Sequence, residues 1–146
     1  MKCLIQRVTE AKVSVAGNTV GAIDEGLLVL VGFEPEDTPA IIEKMAERLC
    51  DYRVFSDSDG RMNLSVREVK GSLLLVPQFT IAADTKKGLR PSFTTAASPD
   101  KGEQYFAHLI AYLRATKTPI ATGIFGADMQ VHLINNGPVT FMLESR

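Results

Sequence analysis

At 146 residues the chain has the length of one domain, enough to bury roughly two-thirds of its unfolded surface around a single core. Hydrophobic residues make up 45% and charged residues 23%, the balance of a globular protein. The formal net charge of −1 excludes a global positive field for nucleic acid or a membrane surface, so any polyanion site has to be a local patch.

Cys3 to Val8 reads as a strand. Lys12 to Val15 and Thr19 to Ile23 flank "AGN", a hairpin in which Gly17 and Asn18 can take positive φ. "GLLVLVGF", residues 26–33, is a continuous apolar run and predicts a central strand buried on both faces. In "DTPAIIEKMAERLCDYRVF" Thr38 suits a helix cap and Pro39 the first helical position. Ile41, Ile42, Met45, Ala46, Leu49 and Cys50 then share one face at helical spacing, which makes Cys50 a buried, inert thiol. "DSDG" at 57–60 predicts a turn and "GSLLLVPQFTI" at 71–81 a second buried strand. Residues 82–97, "AADTKKGLRPSFTTAA", predict a long irregular loop. Ser98 and Pro99 open a second helix whose apolar face is Tyr105, Phe106, Leu109, Ile110 and Leu113. Two closing strands, 129–134 and 139–144, follow. No repeat or linker divides the chain, so 1–146 is expected to be a single domain. Helices that come after runs of strands predict an α+β fold with a curved, mostly antiparallel, barrel-like sheet and two main helices.

No apolar run approaches the ~18 residues needed to span a bilayer, and "MKCLIQRV" is broken by Gln6 and Arg7 where a signal peptide would be apolar. Cys3 and Cys50 form no CxxC or Cys/His cluster, which argues against structural zinc. The expectation is a cytoplasmic, reduced, soluble protein.

Side-chain catalytic machinery is hard to find. GxSxG, HExxH, Walker and GxGxxG patterns are missing from the sequence, and the carboxylates are scattered. His108 is expected on the surface of the second helix, and His132, in "MQVHLI", on the solvent or interface face of a strand. Two stretches remain. The buried strand of "PQFTIAADTKKGLRPSF" ends in Gln78, Phe79 and Thr80, where backbone N–H groups leave the ladder and become free to bind an oxyanion. The loop beyond carries Lys86, Lys87 and Arg90 against Asp84 alone, a local site for phosphates. A solvated loop after a strand-forming threonine would read the same way, although loops this long in compact domains are usually functional. The second stretch is "NNGPVTF", 135–141, which sets Gly137-Pro138 hard against a closing strand, where proline removes a ladder donor. It is either a simple reversal or backbone shaped for a task.

Together, "PQFT" followed by "AADTKKGLRPSF", and "NNGPVT" near the C-terminus, resemble the paired signatures of the D-aminoacyl-tRNA deacylases. "MKCLIQRV", "GLLVLVGF", "YRVFSD", "MNLS" and "ADMQVHL" match as well, so the likeness runs along essentially the whole chain. The family usually has serine where Pro77 stands, which puts in doubt any side-chain role at position 77 but not at Gln78, Phe79 or Thr80. The resemblance implies hydrolysis of the ester between a D-amino acid, or mischarged glycine, and the 3′-terminal adenosine of tRNA. It implies a homodimer and no metal or organic cofactor. It further implies that Gly137-Pro138 has a cis bond and enters the partner's pocket, filling the space an L side chain would need. Arg7 and Met129 match positions that support this element. Phe79 and Thr80 N–H groups would form the oxyanion hole, with the terminal ribose 2′-OH assisting; Thr80 as a covalent nucleophile is the alternative, but no base stands near it in sequence. Lys86, Lys87 and Arg90 would hold the acceptor end. Two other readings compete: an editing domain like that of archaeal threonyl-tRNA synthetases, which removes L-serine, and a non-catalytic dimeric RNA-binding module.

Overall fold

The computed structural model describes residues 1–145. Eight strands form: β1 (Lys2–Val15), β2 (Asn18–Ile23), β3 (Gly26–Gly32), β4 (Phe55–Ser56), β5 (Met62–Leu64), β6 (Ser72–Pro77), β7 (Ile120–Thr122) and β8 (Gln130–Glu144). Helix α1 spans Pro39–Asp51 and α2 spans Pro99–Ala115. Both start as their sequences dictate. The Thr38 hydroxyl accepts the Ile41 N–H, the Ser98 hydroxyl accepts that of Lys101, and proline opens each helix.

The main sheet runs β2-β1-β3-β6-β7, with β8 on the remaining edge of β1; β4 and β5 form a separate pair. β1 is antiparallel to β2, β3 and β8, whereas β3–β6 and β6–β7 are parallel. Helices α1 and α2 are the crossovers for those parallel pairs, so the helices do not merely follow runs of strands as the chain order suggested. The sheet curls until β2 meets β7. A Cβ on Gly21 would lie 2.6 Å from the Thr122 carbonyl oxygen, so glycine is what lets this nearly closed barrel draw in.

Both faces of the central strands are buried, which explains their unbroken apolar sequences. Leu27, Val29 and Val31 of β3 and Leu73 and Leu75 of β6 pack under α1 and α2. Leu28, Leu74 and Val76 point the other way, onto Val8, Ala11, Val13 and Ile23 inside the curl. The Met1 ammonium is buried against Asp37 at 2.8 Å and bonds Glu34 and the Ser145 hydroxyl. Among the described residues no helix is long and apolar enough to cross a membrane.

Four local expectations change. The strands expected at 3–8 and 12–15 are one strand, β1, and those expected at 129–134 and 139–144 are one strand, β8. Long cross-strand pairing on β1 carries the chain through its polar and breaker residues. The β1–β2 turn takes positive φ at Ala16 and Gly17 rather than Gly17 and Asn18. The strand expected to reach residue 81 stops at Pro77, and Phe79–Ala82 form a 3-10 turn.

Candidate functional site

Pro77 has no N–H to give a sheet neighbour, and the chain leaves the sheet there. The Gln78 N–H still reaches the Val31 carbonyl at 2.7 Å, anchoring the start of the turn to β3. The Ile81 N–H then bonds the Gln78 carbonyl at 3.3 Å and that of Ala83 the Thr80 carbonyl at 3.2 Å. The first donors of a 3-10 turn have no partner inside it, and among the described residues those of Phe79 and Thr80 bond no other backbone carbonyl. Two adjacent N–H groups are thereby free for an oxyanion.

A cavity of about 440 Å³ opens beside this turn. Gln78 and Phe79 line it together with Phe33, Phe93, Gly102 and Phe125. Its lining is mostly apolar, with Gln78 and Ser98 as the polar side chains, as expected of a small-ligand site. Thr80 lies just outside the lining. Its hydroxyl accepts from the Gln78 side-chain amide, and among the described residues no imidazole or carboxylate hydrogen-bonds it. The contributions of Phe33, Gly102 and Phe125 to the lining were not foreseen. Gly102 carried the one available signal: a Cβ there would come within 3.1 Å of the Phe125 ring, so glycine lets α2 approach it.

The loop 82–97 is irregular but held. Asp84 and Ser92 pair through two backbone bonds of 2.8 and 2.9 Å. The Thr95 hydroxyl donates to the Ala82 carbonyl at 2.6 Å, and the Ala97 N–H to that of Phe33 at 2.9 Å. Lys86, Lys87 and Arg90 stand exposed at the tip above the Asp84–Ser92 bridge, and among the described residues none forms a salt bridge.

The "NNGPVTF" stretch is not a reversal. Gln6 of β1 faces Thr140, but Val8 faces Asn135, so two steps along β1 match five along β8. The surplus forms a wide bulge. Gly137-Pro138 is cis and exposed at its crest. Gly137 has φ 137°, a conformation for glycine, and a Cβ there would lie 2.7 Å from a Val139 methyl and 3.2 Å from Arg7 Nη2. Arg7 holds the bulge from beneath: Nε donates to the Asn136 carbonyl at 3.0 Å and Nη1 to that of Val54 at 2.7 Å. The Asn135 carboxamide accepts the Val139 N–H at 3.1 Å and donates to the Thr140 hydroxyl at 2.9 Å.

Within one chain these parts stand in two places. Gln78 and Phe79 meet at the cavity, while Arg7, Gly137 and Pro138 meet at the bulge, and nothing from 135–140 lines the cavity. Met129 goes with the cavity side. It precedes β8 at the end remote from the bulge, with its sulfur beside Gly123 and Pro77 close by. His132 is exposed opposite Lys12. His108 is only half-exposed and bonds Glu43 of α1 at 3.0 Å, so it bridges the helices rather than facing solvent freely. Among the described residues no group of three or more His, Cys, Asp or Glu side chains converges as a metal site would.

The family model described as D-Tyr-tRNA(Tyr) deacylase matches residues 4–144. A D-aminoacyl-tRNA deacylase of Pseudomonas fluorescens (strain Pf0-1) is 59% identical over 145 residues, covering 99% of this chain and all of the relative. One of Pseudomonas aeruginosa (strain LESB58) is likewise 59% identical over the same extent. Among solved structures, the c-Myc DNA unwinding element binding protein superposes with a TM-score of 0.94 at 39% identity, over 100% of this chain and 99% of that one. A probable eukaryotic D-amino acid tRNA deacylase shares the fold, with a TM-score of 0.83 at 16% identity over 97% of each chain. With the profile spanning nearly every residue and relatives this similar end to end, the chain belongs to the D-Tyr-tRNA(Tyr) deacylase family.

Proposed function

We propose that this chain hydrolyses the ester joining a D-amino acid to the 3′-terminal adenosine of tRNA, releasing free tRNA and the amino acid. One observation carries the mechanism: the backbone N–H groups of Phe79 and Thr80 have no partner among the described residues, on a turn whose Gln78 and Phe79 line the cavity, and no base among those residues contacts the Thr80 hydroxyl. That arrangement suits a reaction limited by orientation and by stabilising the tetrahedral oxyanion. An aminoacyl ester is already activated by its ammonium group. Water, assisted by the terminal ribose 2′-OH, attacks the carbonyl carbon. Charge collects on the carbonyl oxygen facing the two N–H groups, and the ester C–O bond to the ribose breaks. Gln78 restrains the Thr80 hydroxyl, so Thr80 acts through its backbone and not as nucleophile.

Chirality is read across a homodimer in this proposal. The exposed Gly137-Pro138 crest of one subunit enters the partner's cavity and occupies the space of an L side chain, leaving room only for hydrogen. D residues and glycine then pass. The separation of the crest from its own cavity, and the position of Met129 behind Pro77 on the cavity side, both favour this arrangement. Arg7 keeps the crest raised from its own side. Lys86, Lys87 and Arg90 grip the acceptor end through phosphates.

The test is a matched deacylation assay with D-Tyr-tRNA, L-Tyr-tRNA and Gly-tRNA. Release of D-tyrosine and glycine with L-tyrosine untouched is expected. Equal hydrolysis of both enantiomers would overturn chiral exclusion. A Thr80→Val enzyme should keep most of its turnover, and its inactivation would restore the nucleophile.

A further inference from the structure

We propose that the Phe79 and Phe93 rings form a stacking subsite for the unpaired base next to the terminal adenosine of the RNA substrate. The inference rests on the deacylase reading above and adds a second nucleotide to it. Both rings are large apolar groups left in water, 56% and 44% exposed. They lie against each other with centroids 5.1 Å apart and planes tilted by 60°. Both line the cavity, which on this reading takes the amino acid and the adenosine that carries it.

The position of the pair specifies its occupant. The pair belongs to the cavity lining, and Phe93 stands three residues beyond Arg90 on the loop that also carries Lys86 and Lys87, whose charges have no ion-pair partner among the described residues. On this proposal a single strand that leaves the cavity for those cations crosses the two rings. Exposed aromatic faces flanked by cations are how proteins hold unpaired nucleotides without reading sequence. Phe93 is also placed firmly. It follows Ser92, which pairs with Asp84, and precedes Thr95, whose hydroxyl is fixed to the Ala82 carbonyl at 2.6 Å.

The experiment compares two substrates, D-tyrosyl-adenosine, which ends at the cavity, and D-tyrosyl-tRNA, which continues past it. Phe93→Leu keeps apolar bulk but loses the flat face; Phe93→Trp enlarges that face. Phe93→Leu is expected to raise KM for D-tyrosyl-tRNA about tenfold more than KM for D-tyrosyl-adenosine, with any change in kcat the same on both substrates, whereas Phe93→Trp should leave KM for D-tyrosyl-tRNA near that of the wild type. Equal KM changes on both substrates would assign the rings to the terminal adenosine and overturn the proposal. So would no change on either, or a change confined to subunit association, which would make the pair a protein contact. Wild-type protein that leaves D-tyrosyl-tRNA intact would instead refute the deacylase reading itself.

Discussion

Gly32→Ala tests whether catalysis depends on the placement of the Phe79–Ala82 turn. Gly32 ends β3 beneath that turn. A Cβ at position 32 would lie 2.7 Å from Ile81 Cγ1, 3.1 Å from the Gln78 carbonyl oxygen and 3.3 Å from the Ala82 nitrogen. Carbon atoms pack at roughly 3.5–4.0 Å, so the Ile81 side chain has to move by about 1 Å and the backbone of the turn has to give by a few tenths of an ångström. It cannot slide freely, because the Gln78 N–H is tied to the Val31 carbonyl at 2.7 Å. It must therefore tilt, carrying the Phe79 and Thr80 N–H groups with it. A misplacement of about 1 Å costs roughly 100-fold in rate, so a backbone shift a few times smaller is expected to cost up to about tenfold, or about 1.4 kcal/mol of barrier. Overpacking of this kind costs stability by about 1–3 kcal/mol, a fall in Tm of roughly 3–10 °C for a domain of this size. The assay is single-turnover hydrolysis of D-Tyr-tRNA beside a thermal melt. Adding Ile81→Ala, which removes the nearest obstructing atom from a half-buried side chain, should return most of the lost rate. A Gly32→Ala enzyme with wild-type turnover and a lowered Tm would refute the reasoning. So would a double variant that recovers Tm but not rate.

Three further outcomes are expected. Replacing Lys86, Lys87 and Arg90 together by alanine should weaken tRNA binding and reduce the slope of log K against log salt by about 2, at roughly 0.7 per lost contact; a slope unchanged in a filter-binding titration would place the phosphate contacts elsewhere. Asp37→Ala removes a carboxylate, 6% exposed, that holds the Met1 ammonium and the Glu34 N–H at 2.8 Å each, so chemical denaturation should register a loss of about 3 kcal/mol. Burial pushes the Cys3 thiol from its ordinary value of 9.0 up to about 12. Between those values the unfolded chain has released a proton that the folded chain keeps. This contribution to stability is therefore intact below pH 9 and declines as pH rises toward 12, and Cys3→Ala should flatten that part of a Tm–pH profile.

Much of this protein is legible in its sequence because local chemistry and tertiary environment agree there. The caps and prolines at Thr38-Pro39 and Ser98-Pro99, the helical faces of α1 and α2, and the doubly buried β3 and β6 follow from spacing and burial that no partner strand alters. The two signature stretches also picked out the free N–H groups and the cation loop as places to look. The tertiary structure alone decided three things. It joined β1 and β8 into long strands, since pairing across a sheet can carry a chain through residues whose own propensities break it. It ended β6 at Pro77 and wound Phe79–Ala82 into a turn, because the choice between one more strand residue and a turn rests on what β3 leaves uncovered at Gly32. And it made "NNGP" a supported bulge in place of a reversal. That outcome depends on register with β1 and on Arg7, which lies more than a hundred residues away in the chain and reaches the Asn136 carbonyl only after folding. Periodicity records which face a residue buries, but it holds no record of which distant backbone groups that face will meet.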